Sequence, residues 1–323
     1  DAGEVGSFLA DPVFEATFGW RTAGPTLREL AGRGLLHPRL VDAMDAAGSH
    51  RFAATARPYA HQVAAWEALA EDPPRSVVVT SGTGSGKTEA FLIPILDDLT
   101  RAAEREGPLE GVRALFLYPL NALINSQRER LSAWTKPLGG DVRFCLYNGE
   151  TPRSPSAADD HGHPEEVRDR RTLRASPPPV LVTNATMLEY MLVRREDATI
   201  VSASRGKLRW IVLDEAHSYL GSQAAEVALL LRRVLHAFGV RPQDVRFVAT
   251  SATIGGEGAA EALEDFLAKV AGVERARVRV VTGAREVPPL PEALAARDAA
   301  LPPVDVLAAL TPAARYEALA SSP

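Results

Sequence analysis

The stretch Val77-Val-Val-Thr-Ser-Gly-Thr-Gly-Ser-Gly-Lys-Thr88 joins a β-branched run to a glycine-rich turn that ends in a lysine and a threonine. Because glycine adopts positive φ angles at no steric cost, such a turn can direct successive peptide N–H groups towards one anion. Its lysine can contact the β- and γ-phosphates of a nucleotide, and its threonine hydroxyl can ligate Mg²⁺. A helix that begins here would add the positive end of its dipole. We therefore predict a nucleotide site formed by Ser81, Gly82, Thr83, Gly84, Ser85, Gly86, Lys87 and Thr88.

The turn departs at one position from the strict phosphate-loop pattern G-x-x-x-x-G-K-[ST], because Ser81 occupies the place of the first glycine. Serine is small, so we expect the change to be tolerated. The interpretation therefore depends on what accompanies the turn along the chain.

Length and composition are those of a globular protein with one large or two modest domains: 323 residues, 46% hydrophobic and 24% charged. No apolar run approaches the roughly 20 residues that cross a bilayer, and no signal peptide is present, so we expect a cytoplasmic protein without membrane partners.

The first residue is Asp1 rather than methionine, which indicates a segment of a longer polypeptide. The single cysteine, Cys145, excludes an internal disulfide and a multi-cysteine zinc site.

The charge balance gives no direct sign of a nucleic-acid partner, since the formal net charge is −5 at pH 7. Basic residues do cluster locally, within a segment (151–178) that is rich in Pro, Ser, Asp and His. The cluster comprises Arg168, Arg170, Arg171 and Arg174. We interpret the cluster as solvated surface and segment 151–178 as a long exposed loop.

From about residue 51 onwards, short apolar strands alternate with amphipathic helices. The strand candidates are rich in Val, Ile and Leu and apolar on both faces, as buried parallel strands are. They are Ser76–Thr80, Ala114–Tyr118, Val142–Leu146, Val180–Thr183, Trp210–Leu213, Phe247–Thr250 and Val278–Val281. This alternation predicts an α/β domain over residues 51–283, with a mostly parallel sheet flanked by helices. We expect residues 1–50 to form a short helical N-terminal extension, and 284–323 a linker with weak helices or the start of a following region.

A second element suited to phosphate chemistry is Trp210-Ile-Val-Leu-Asp-Glu-Ala-His217, in which an apolar strand runs into two adjacent acids. Ligands of open α/β sheets bind beyond the carboxyl ends of the strands, so both carboxylates should lie beside the glycine turn. Asp214 would then hold Mg²⁺ through water, and Glu215 would orient and polarise an attacking water. Unpaired burial of two carboxylates is costly, so we expect a cation nearby.

Weaker signals surround these two elements. Gln62, in the stretch Arg57-Pro-Tyr-Ala-His-Gln62, carries an amide that can pair with the edge of adenine. The stretch Thr250-Ser-Ala-Thr-Ile254 places small hydroxyls where they can hydrogen-bond to the acidic turn. Tyr118-Pro-Leu-Asn-Ala-Leu123 and Val182-Thr-Asn-Ala-Thr186 place hydroxyls and amides at strand ends, where they can contact a phosphodiester backbone.

In order and spacing, these stretches resemble the motifs in the first RecA-like domain of superfamily 2 helicases of the DEAD/DEAH-box type, over roughly residues 55–283. The resemblance implies a RecA-like P-loop fold, with ATP and Mg²⁺ as cofactors. It makes Gln62 the adenine-contacting Q motif and places Thr88 and Asp214 at the metal. The residues that receive catalytic roles are Lys87, Asp214, Glu215 and His217.

The same resemblance implies a nucleic-acid interface and residues that couple it to the nucleotide. The positions that match nucleic-acid-contacting motifs are Pro119, Leu120, Asn121, Asn148, Gly149, Thr183, Asn184 and Thr186. The coupling motif matches at Ser251 and Thr253.

Two stretches, Tyr118–Gln127 and Tyr219-Leu-Gly-Ser-Gln223, resemble more narrowly one bacterial branch of this family. That branch contains MrfA-type DNA repair helicases and the large helicase subunits of the phage-defence systems DISARM and Druantia. It implies DNA as the partner and, for the whole protein, subunits of a defence or repair complex. The cysteine-rich zinc region of MrfA-type proteins has no counterpart in this sequence.

A second RecA-like domain, with its arginine fingers, is also missing from the sequence. The family hydrolyses ATP between two such domains, and an arginine finger contributes on the order of 10³–10⁵ in rate where it has been studied. We therefore expect a second RecA-like domain in the same full-length chain, and weak hydrolysis by this segment alone.

Three interpretations stay open on the motifs alone. The leading one is an ATP-driven motor that translocates on DNA and unwinds it. The second is a duplex translocase that does not separate strands, and the motifs do not distinguish it from the first. The third is a binding module that no longer hydrolyses ATP, against which stand the intact Lys87, Thr88, Asp214 and Glu215. RNA in place of DNA is open as well, since backbone contacts identify the sugar only weakly.

Overall fold

The computed structural model describes residues 18–82, 84–155, 162–219, 222–251, 258–288 and 302–320. The chain divides into two compact units. The larger unit is Thr22–Ala284, and the described part of the smaller unit consists of residues 18–21, 285–288 and 302–320.

A parallel sheet organises the larger unit. Its strands are β1 Ser76–Thr80, β2 Ala114–Leu117, β3 Phe144–Leu146, β4 Glu166–Val167, β5 Val180–Thr183, β6 Trp210–Leu213, β7 Arg246–Ser251 and β8 Val278–Thr282. Within the described residues the strand order is β4-β3-β5-β2-β6-β7-β1-β8, and all neighbouring strands are parallel. The predicted α/β fold is thus confirmed. Every predicted strand is present, with ends that differ by two residues at most.

Helices flank the sheet and fill the connections. In the larger unit they are α1 Leu27–Gly32, α2 Pro38–Asp45, α3 Ala60–Ala70, α4 Lys87–Glu106, α5 Asn121–Ser126, α6 Arg128–Thr135, α7 Arg170–Ala175, α8 Ala185–Val193, α9 Ala198–Ala203, α10 Ser222–Phe238 and α11 Ala259–Ala271. Short 3₁₀ helices occur at Gly48–His50, Lys136–Leu138, Arg195–Asp197, Ala216–Tyr219, Pro242–Asp244 and Arg275–Arg277. The smaller unit contains α12 Val304–Ala309 and α13 Pro312–Ala320.

The hydrophobic core lies on both faces of the sheet. Successive side chains of a strand point to opposite faces, and in β2 Phe116 joins one core cluster while Leu115 and Leu117 join the other. On the first face, Phe116 meets Phe91 of α4 edge-to-face, with ring centroids 5.7 Å apart. Within the described ranges, no helix combines the length and the hydropathy that crossing a membrane requires.

The helices α1 and α2 pack into the same core as the sheet. Leu27 and Leu40 are fully buried and belong to the cluster that contains Val79 of β1. The N-cap of α1 is Thr26, whose hydroxyl accepts a hydrogen bond from the Glu29 backbone N–H at 3.3 Å in a complete capping box.

The smaller unit is held together by aromatic contacts. The Arg285 guanidinium lies 3.6 Å from the centroid of the Trp20 ring, and Phe18 meets Tyr316 edge-on at 4.9 Å. The Tyr316 hydroxyl donates a hydrogen bond to the Pro288 carbonyl at 3.0 Å.

The prediction that segment 151–178 is an exposed loop is wrong for its second half, whereas residues 152–155 are exposed and residues 156–161 lie outside the described residues. The segment contains the edge strand β4 and helix α7, and Glu165 is fully buried. Glu165 accepts a hydrogen bond from Ser132 Oγ at 2.5 Å, and Glu166 pairs with Arg128 at 2.8 Å. Both partners lie on α6, distant in sequence, and among the described residues Glu165 Oε2 has no hydrogen-bond partner.

The basic cluster of that segment is also only partly solvated. Arg168 pairs with Glu166 at 2.8 Å, and Arg174 pairs with the buried Asp197 at 2.8 Å. Arg171 is exposed, as predicted. The cluster therefore stabilises the edge of the sheet rather than forming one basic surface.

We predict that Phe116→Ala lowers the free energy of unfolding by about 3–5 kcal/mol, because it removes a fully buried ring from the centre of the sheet and leaves a cavity. Leu229→Ala on α10 is the control, since Leu229 is 67% exposed and its truncation should change the free energy by less than about 0.5 kcal/mol. Urea unfolding of both variants measures the difference. Equal losses would mean that Phe116 does not lie in the core.

Candidate nucleotide and nucleic-acid sites

The glycine turn and the acidic turn lie at the same edge of the sheet. The glycine turn follows β1 and the acidic turn follows β6, and β7 pairs with both of these strands. Because all three strands are parallel, their carboxyl ends meet at one edge, where ligands of open α/β sheets bind. The predicted proximity of the two turns is therefore a consequence of the strand order.

The glycine turn is closed on itself by internal hydrogen bonds. Lys87 Nζ donates to the Ser81 carbonyl at 2.8 Å, and the hydroxyls of Ser81 and Ser85 are hydrogen-bonded at 2.5 Å. Both serines are buried. Gly84 and Gly86 have φ angles of 72° and 74°, which explains why glycine is needed at these two positions.

Gln62 and His61, at the start of α3, hold the glycine turn from outside. Gln62 Nε2 donates to the Gly86 carbonyl at 3.0 Å, while its Oε1 accepts from the Tyr59 backbone N–H at 2.8 Å. A Cβ on Gly86 would lie 2.2 Å from Gln62 Nε2, so the Gln62 amide would have to move if residue 86 carried a side chain. His61 Nε2 lies 2.8 Å from the Ser85 carbonyl. Sequence reasoning identified Gln62 but missed His61, although the two residues are adjacent.

The acidic turn is organised by Thr250, at the end of β7. The Thr250 hydroxyl donates to Asp214 Oδ1 and accepts a hydrogen bond from the Glu215 backbone N–H at 3.0 Å. Glu215 has a φ angle of 51°, which is unusual for a residue other than glycine. The Ser218 backbone N–H and hydroxyl both donate to the Glu215 carbonyl, at 2.9 and 2.7 Å. The turn therefore holds two carboxylates in a defined and locally strained arrangement.

Burial raises the pKa of Asp214, and the neighbouring charge of Glu215 raises it further. The hydrogen bond from Thr250 and the charge of Lys87 act in the opposite direction. Lys87 thus acts on Asp214 through its charge, as the smallest of these influences. The turn thus has the excess of buried negative charge that favours a bound cation.

A cleft of about 700 Å³ joins the glycine turn to the acidic turn. The predicted site residues that line it are Gln62, Gly84, Ser85, Gly86, Lys87, Thr88 and Glu215. The cleft continues over residues that sequence reasoning missed, among them Phe52, Arg57, Tyr59, Arg130 and Trp134. Arg130 lies 3.5 Å from Glu89 on the first turn of α4. The cleft is large enough for a nucleotide and has aromatic and basic walls.

Thr88 and Asp214 offer the oxygen ligands that Mg²⁺ prefers. In the described part of the chain, no group of three or more His, Cys, Asp or Glu side chains could enclose a metal. Mg²⁺ is usually held by one or two protein ligands and completed by water and phosphate oxygens. The residues present therefore fit Mg²⁺ bound together with a nucleotide.

A second cavity, of about 470 Å³, lies beyond the carboxyl ends of β2 and β5. The predicted nucleic-acid contacts that line it are Pro119, Leu120, Asn121, Asn184 and Thr186. Asn184 Nδ2 donates to Asn121 Oδ1 at 2.8 Å, and Asn184 also caps α8 by accepting from the Met187 backbone N–H. Leu120 is 63% exposed, which is unusual for a leucine and fits a contact surface.

The remaining predicted nucleic-acid contacts do not line this cavity. Thr183 is fully buried, and its hydroxyl donates to the Tyr147 carbonyl at 2.6 Å. Asn148 is buried as well and accepts a hydrogen bond from the Glu150 backbone N–H at 2.9 Å. Gly149 is exposed, and its carbonyl accepts a hydrogen bond from Arg170 at 3.2 Å. These positions shape the strand ends, and the side chains of Thr183 and Asn148 already have hydrogen-bond partners within the protein.

The predicted coupling residues are only partly within the described chain. Ser251 ends β7 and is fully buried, and among the described residues its hydroxyl has no hydrogen-bond partner. Thr253 lies outside the described residues, as does Thr83 of the glycine turn. The hydroxyl that actually contacts the acidic turn is that of Thr250. His217 lies beside Glu215, with Nδ1 3.3 Å from Glu215 Oε2.

The sequence model of one protein family, described as DEAD/DEAH box helicase, matches residues 59–262. Among curated proteins, the Druantia protein DruE of Escherichia coli (strain UMEA 4076-1) is 28% identical over 340 residues, covering 75% of this chain and 18% of DruE. The uncharacterized ATP-dependent helicase YprA of Bacillus subtilis (strain 168) is 28% identical over 196 residues, covering 61% of this chain and 23% of YprA. The chain therefore spans about a fifth of the length of these relatives.

Solved structures confirm the RecA-like helicase fold. The DUF1998 helicase MrfA bound to DNA and AMPPNP matches with a TM-score of 0.56 and 23% identity, over 81% of this chain and 30% of that chain. The bacterial branch that the sequence resembles is thus represented among both the curated relatives and the structures.

We predict that Asp214→Asn increases the free energy of unfolding at neutral pH, because the substitution removes a partly buried charge and keeps an oxygen that can accept from Thr250. Because folding raises the pKa of Asp214 above its ordinary value of 3.8, the folded wild-type protein holds this proton more tightly than the unfolded chain. Wild-type stability should therefore fall as pH rises from 3.8 through the raised pKa, and the advantage of the variant should grow over that window.

The matched control is Asp197→Asn, measured by the same denaturant unfolding across pH. Asp197 is fully buried but pairs with Arg174 at 2.8 Å and accepts from the Tyr147 hydroxyl at 2.8 Å. Loss of this paired carboxylate should lower the free energy of unfolding by roughly 3 kcal/mol. A destabilised Asp214→Asn would contradict the uncompensated charge that we assign to the acidic turn.

Proposed function

This chain belongs to the DEAD/DEAH box helicase family, and we propose that it forms the first RecA-like half of an ATP-driven motor that translocates on DNA and unwinds it. The observation that carries the proposal is the meeting of Lys87 and Glu215 in one cleft, with the charge of Lys87 acting on Asp214. A turn that kept only a structural role would not need a lysine and two carboxylates at the same sheet edge.

Each residue of the cleft has a role in the proposed reaction. When bound, Mg²⁺–ATP supplies the phosphoryl group and neutralises its charge. Lys87 would leave the Ser81 carbonyl and contact the phosphates, while Thr88 and Asp214 would hold the metal. Glu215 would orient and polarise the attacking water, and His217 would position the Glu215 carboxylate from 3.3 Å.

The base of the nucleotide would lie beside Tyr59 and Gln62. Gln62 already uses one amide hydrogen on the Gly86 carbonyl, so adenine binding and the shape of the phosphate turn would be linked through a single side chain. The backbone N–H groups of the glycine turn would surround the phosphates. The residues that supply them would include Ser81, Gly82, Thr83 and Ser85.

Nucleic acid would bind at the second cavity, through Pro119, Leu120, Asn121, Asn184 and Thr186. Asn148, Gly149 and Thr183 would support the strand ends from which these contacts project. Ser251 and Thr253 would couple the two sites, with Thr250 as the direct contact to the acidic turn. DNA is favoured as the partner because MrfA, which has a similar fold, was crystallised with DNA.

A second RecA-like domain in the same full-length protein would complete the ATP site, and closure and release of the two halves would step the strand. The Druantia protein DruE is a relative of this chain, so we place the motor in a cytoplasmic defence or repair complex. Single-strand DNA, single-strand RNA and duplex DNA, offered separately to the full-length protein, test the choice of substrate by their stimulation of ATP turnover.

We predict that Lys87→Ala and Glu215→Gln each reduce ATP turnover of the full-length protein at least about a hundredfold, the scale on which single acid–base and phosphate contacts act. Glu215→Gln should retain nucleotide affinity, measured by titration with a fluorescent ATP analogue, whereas Lys87→Ala should lose it. Lys136→Ala and Glu129→Gln are exposed controls on the same domain and should turn over ATP normally. Normal turnover by either site variant would refute the assignment.

Unwinding is separated from translocation by two assays on the same preparation. A motor that unwinds displaces a strand from a partial duplex. A duplex translocase displaces only the third strand of a triplex and fails the first assay. We expect strand displacement. If the protein succeeds only in the triplex assay, it is a duplex translocase that does not separate strands.

A further inference from the structure

Glu89 and Arg130 form a charged pair on the wall of the nucleotide cleft. Glu89 lies on the first turn of α4, directly after Thr88, and Arg130 lies on α6. Arg130 Nη2 is 3.5 Å from Glu89 Oε1, and the two side chains are only 26% and 20% exposed. Both residues line the cleft together with Lys87 and Glu215. The reaction proposed above gives neither of them a role.

This pair is poorly satisfied within the protein. Its N–O separation is long for a hydrogen bond between charged groups, and among the described residues neither the guanidinium nor the carboxylate makes a hydrogen bond. Two largely covered charges stabilise a fold only when they are close and their remaining donors and acceptors are paired. Glu89 and Arg130 therefore bring unused hydrogen-bonding capacity to the wall of the cleft.

The position of Glu89 indicates which part of a nucleotide it meets. A Cβ built on Gly86 would lie 2.2 Å from Gln62 Nε2 and 3.1 Å from Glu89 Oε2, so the amide and the carboxylate lie close together beside the glycine turn. We assign Gln62 to the base, and Lys87 and Thr88 to the phosphates and the metal. Glu89 lies between these assignments, and in a nucleotide the ribose joins the base to the phosphates.

The chemistry of the pair favours the ribose as well. A carboxylate only accepts hydrogen bonds, and a guanidinium only donates them. Phosphate oxygens only accept and carry the same sign of charge as Glu89, so they do not suit its carboxylate. The ribose hydroxyls both donate and accept, and an acidic residue on a ribose hydroxyl also occurs in dinucleotide-binding folds.

We propose that Glu89 accepts hydrogen bonds from the ribose hydroxyls of the bound nucleotide, that Arg130 donates to the same sugar, and that the cleft thereby discriminates against nucleotides that lack a ribose hydroxyl. The inference rests on the proposed function, because it presumes that a nucleotide occupies the cleft. The discrimination arises because a deoxy sugar leaves the carboxylate unpaired inside the occupied cleft.

The test uses ADP, 2′-deoxy-ADP and 3′-deoxy-ADP, which differ only at the ribose and carry no γ-phosphate to hydrolyse. Each is titrated calorimetrically, with Mg²⁺, into the full-length protein. Wild-type protein should bind ADP about tenfold more tightly than at least one of the deoxy nucleotides, which is the effect of one hydrogen bond to a charged group.

The variant that carries both Glu89→Ala and Arg130→Ala removes the two charges together and leaves neither unpaired. It should bind all three nucleotides with one weaker affinity, close to that of wild type for the poorer deoxy nucleotide. Its melting temperature without nucleotide should change little, because the pair makes no hydrogen bond. Glu89→Gln keeps the size of the side chain and should lose part of the discrimination, which provides a second measurement if the double variant does not fold.

The matched control is Arg28→Ala with Asp42→Ala. These two side chains form a similarly long pair, 3.7 Å apart, but are 64% and 66% exposed and do not line the nucleotide cleft. Their loss should leave the affinities for all three nucleotides unchanged.

Three results would overturn the inference and leave the proposed function in place. The first is equal affinity of wild type for the three nucleotides, and the second is full discrimination by the double variant. The third is an equal loss of affinity for all three nucleotides with discrimination retained, which would assign the pair to the phosphates. Absence of ADP binding by the wild-type protein would instead overturn the proposed function.

Discussion

The pairing of β7 with both β1 and β6 is the constraint on which the site depends. It brings the glycine turn and the acidic turn to the two sides of Thr250, at the carboxyl edge of the sheet. Thr250 then contributes a single hydroxyl that donates to Asp214 and accepts from the Glu215 backbone. A shift of one residue in the β7 register would turn this side chain to the other face of the sheet and leave both acids without it.

Two side-chain hydrogen bonds hold the nucleotide cleft in its present shape. Lys87 donates to the Ser81 carbonyl, and Gln62 donates to the Gly86 carbonyl. In the proposed reaction Lys87 would exchange its bond for one to the phosphates, so the net gain from that exchange would be small. Gln62 would keep its bond to Gly86 and contact adenine through the rest of its amide. The raised pKa of Asp214 indicates that Thr250 and Lys87 compensate the burial of its charge only in part.

The two cavities share one short piece of chain. The segment from Asp214 to Tyr219 contributes Glu215 to the nucleotide cleft and Tyr219 to the second cavity. Glu215 and Tyr219 are four residues apart, and the hydroxyl of the intervening Ser218 donates a hydrogen bond to the Glu215 carbonyl. Under the proposed function, communication between the two sites would need no long path through the core, because the turn has one side chain in each cavity.

The sequence by itself determined the strands, the parallel α/β fold, the glycine turn and the acidic turn, because each is encoded in a contiguous run whose burial or backbone geometry is local. The tertiary structure alone decided which charges are paired. Glu165 and Glu166 belong to a segment that is typical of a solvated loop, yet their partners Ser132 and Arg128 are brought from α6 by packing. It also decided that Thr183 is buried and that the Tyr219 hydroxyl is buried without a partner among the described residues. Hydrogen-bond satisfaction depends on atoms that are distant along the chain, so no local pattern reports it.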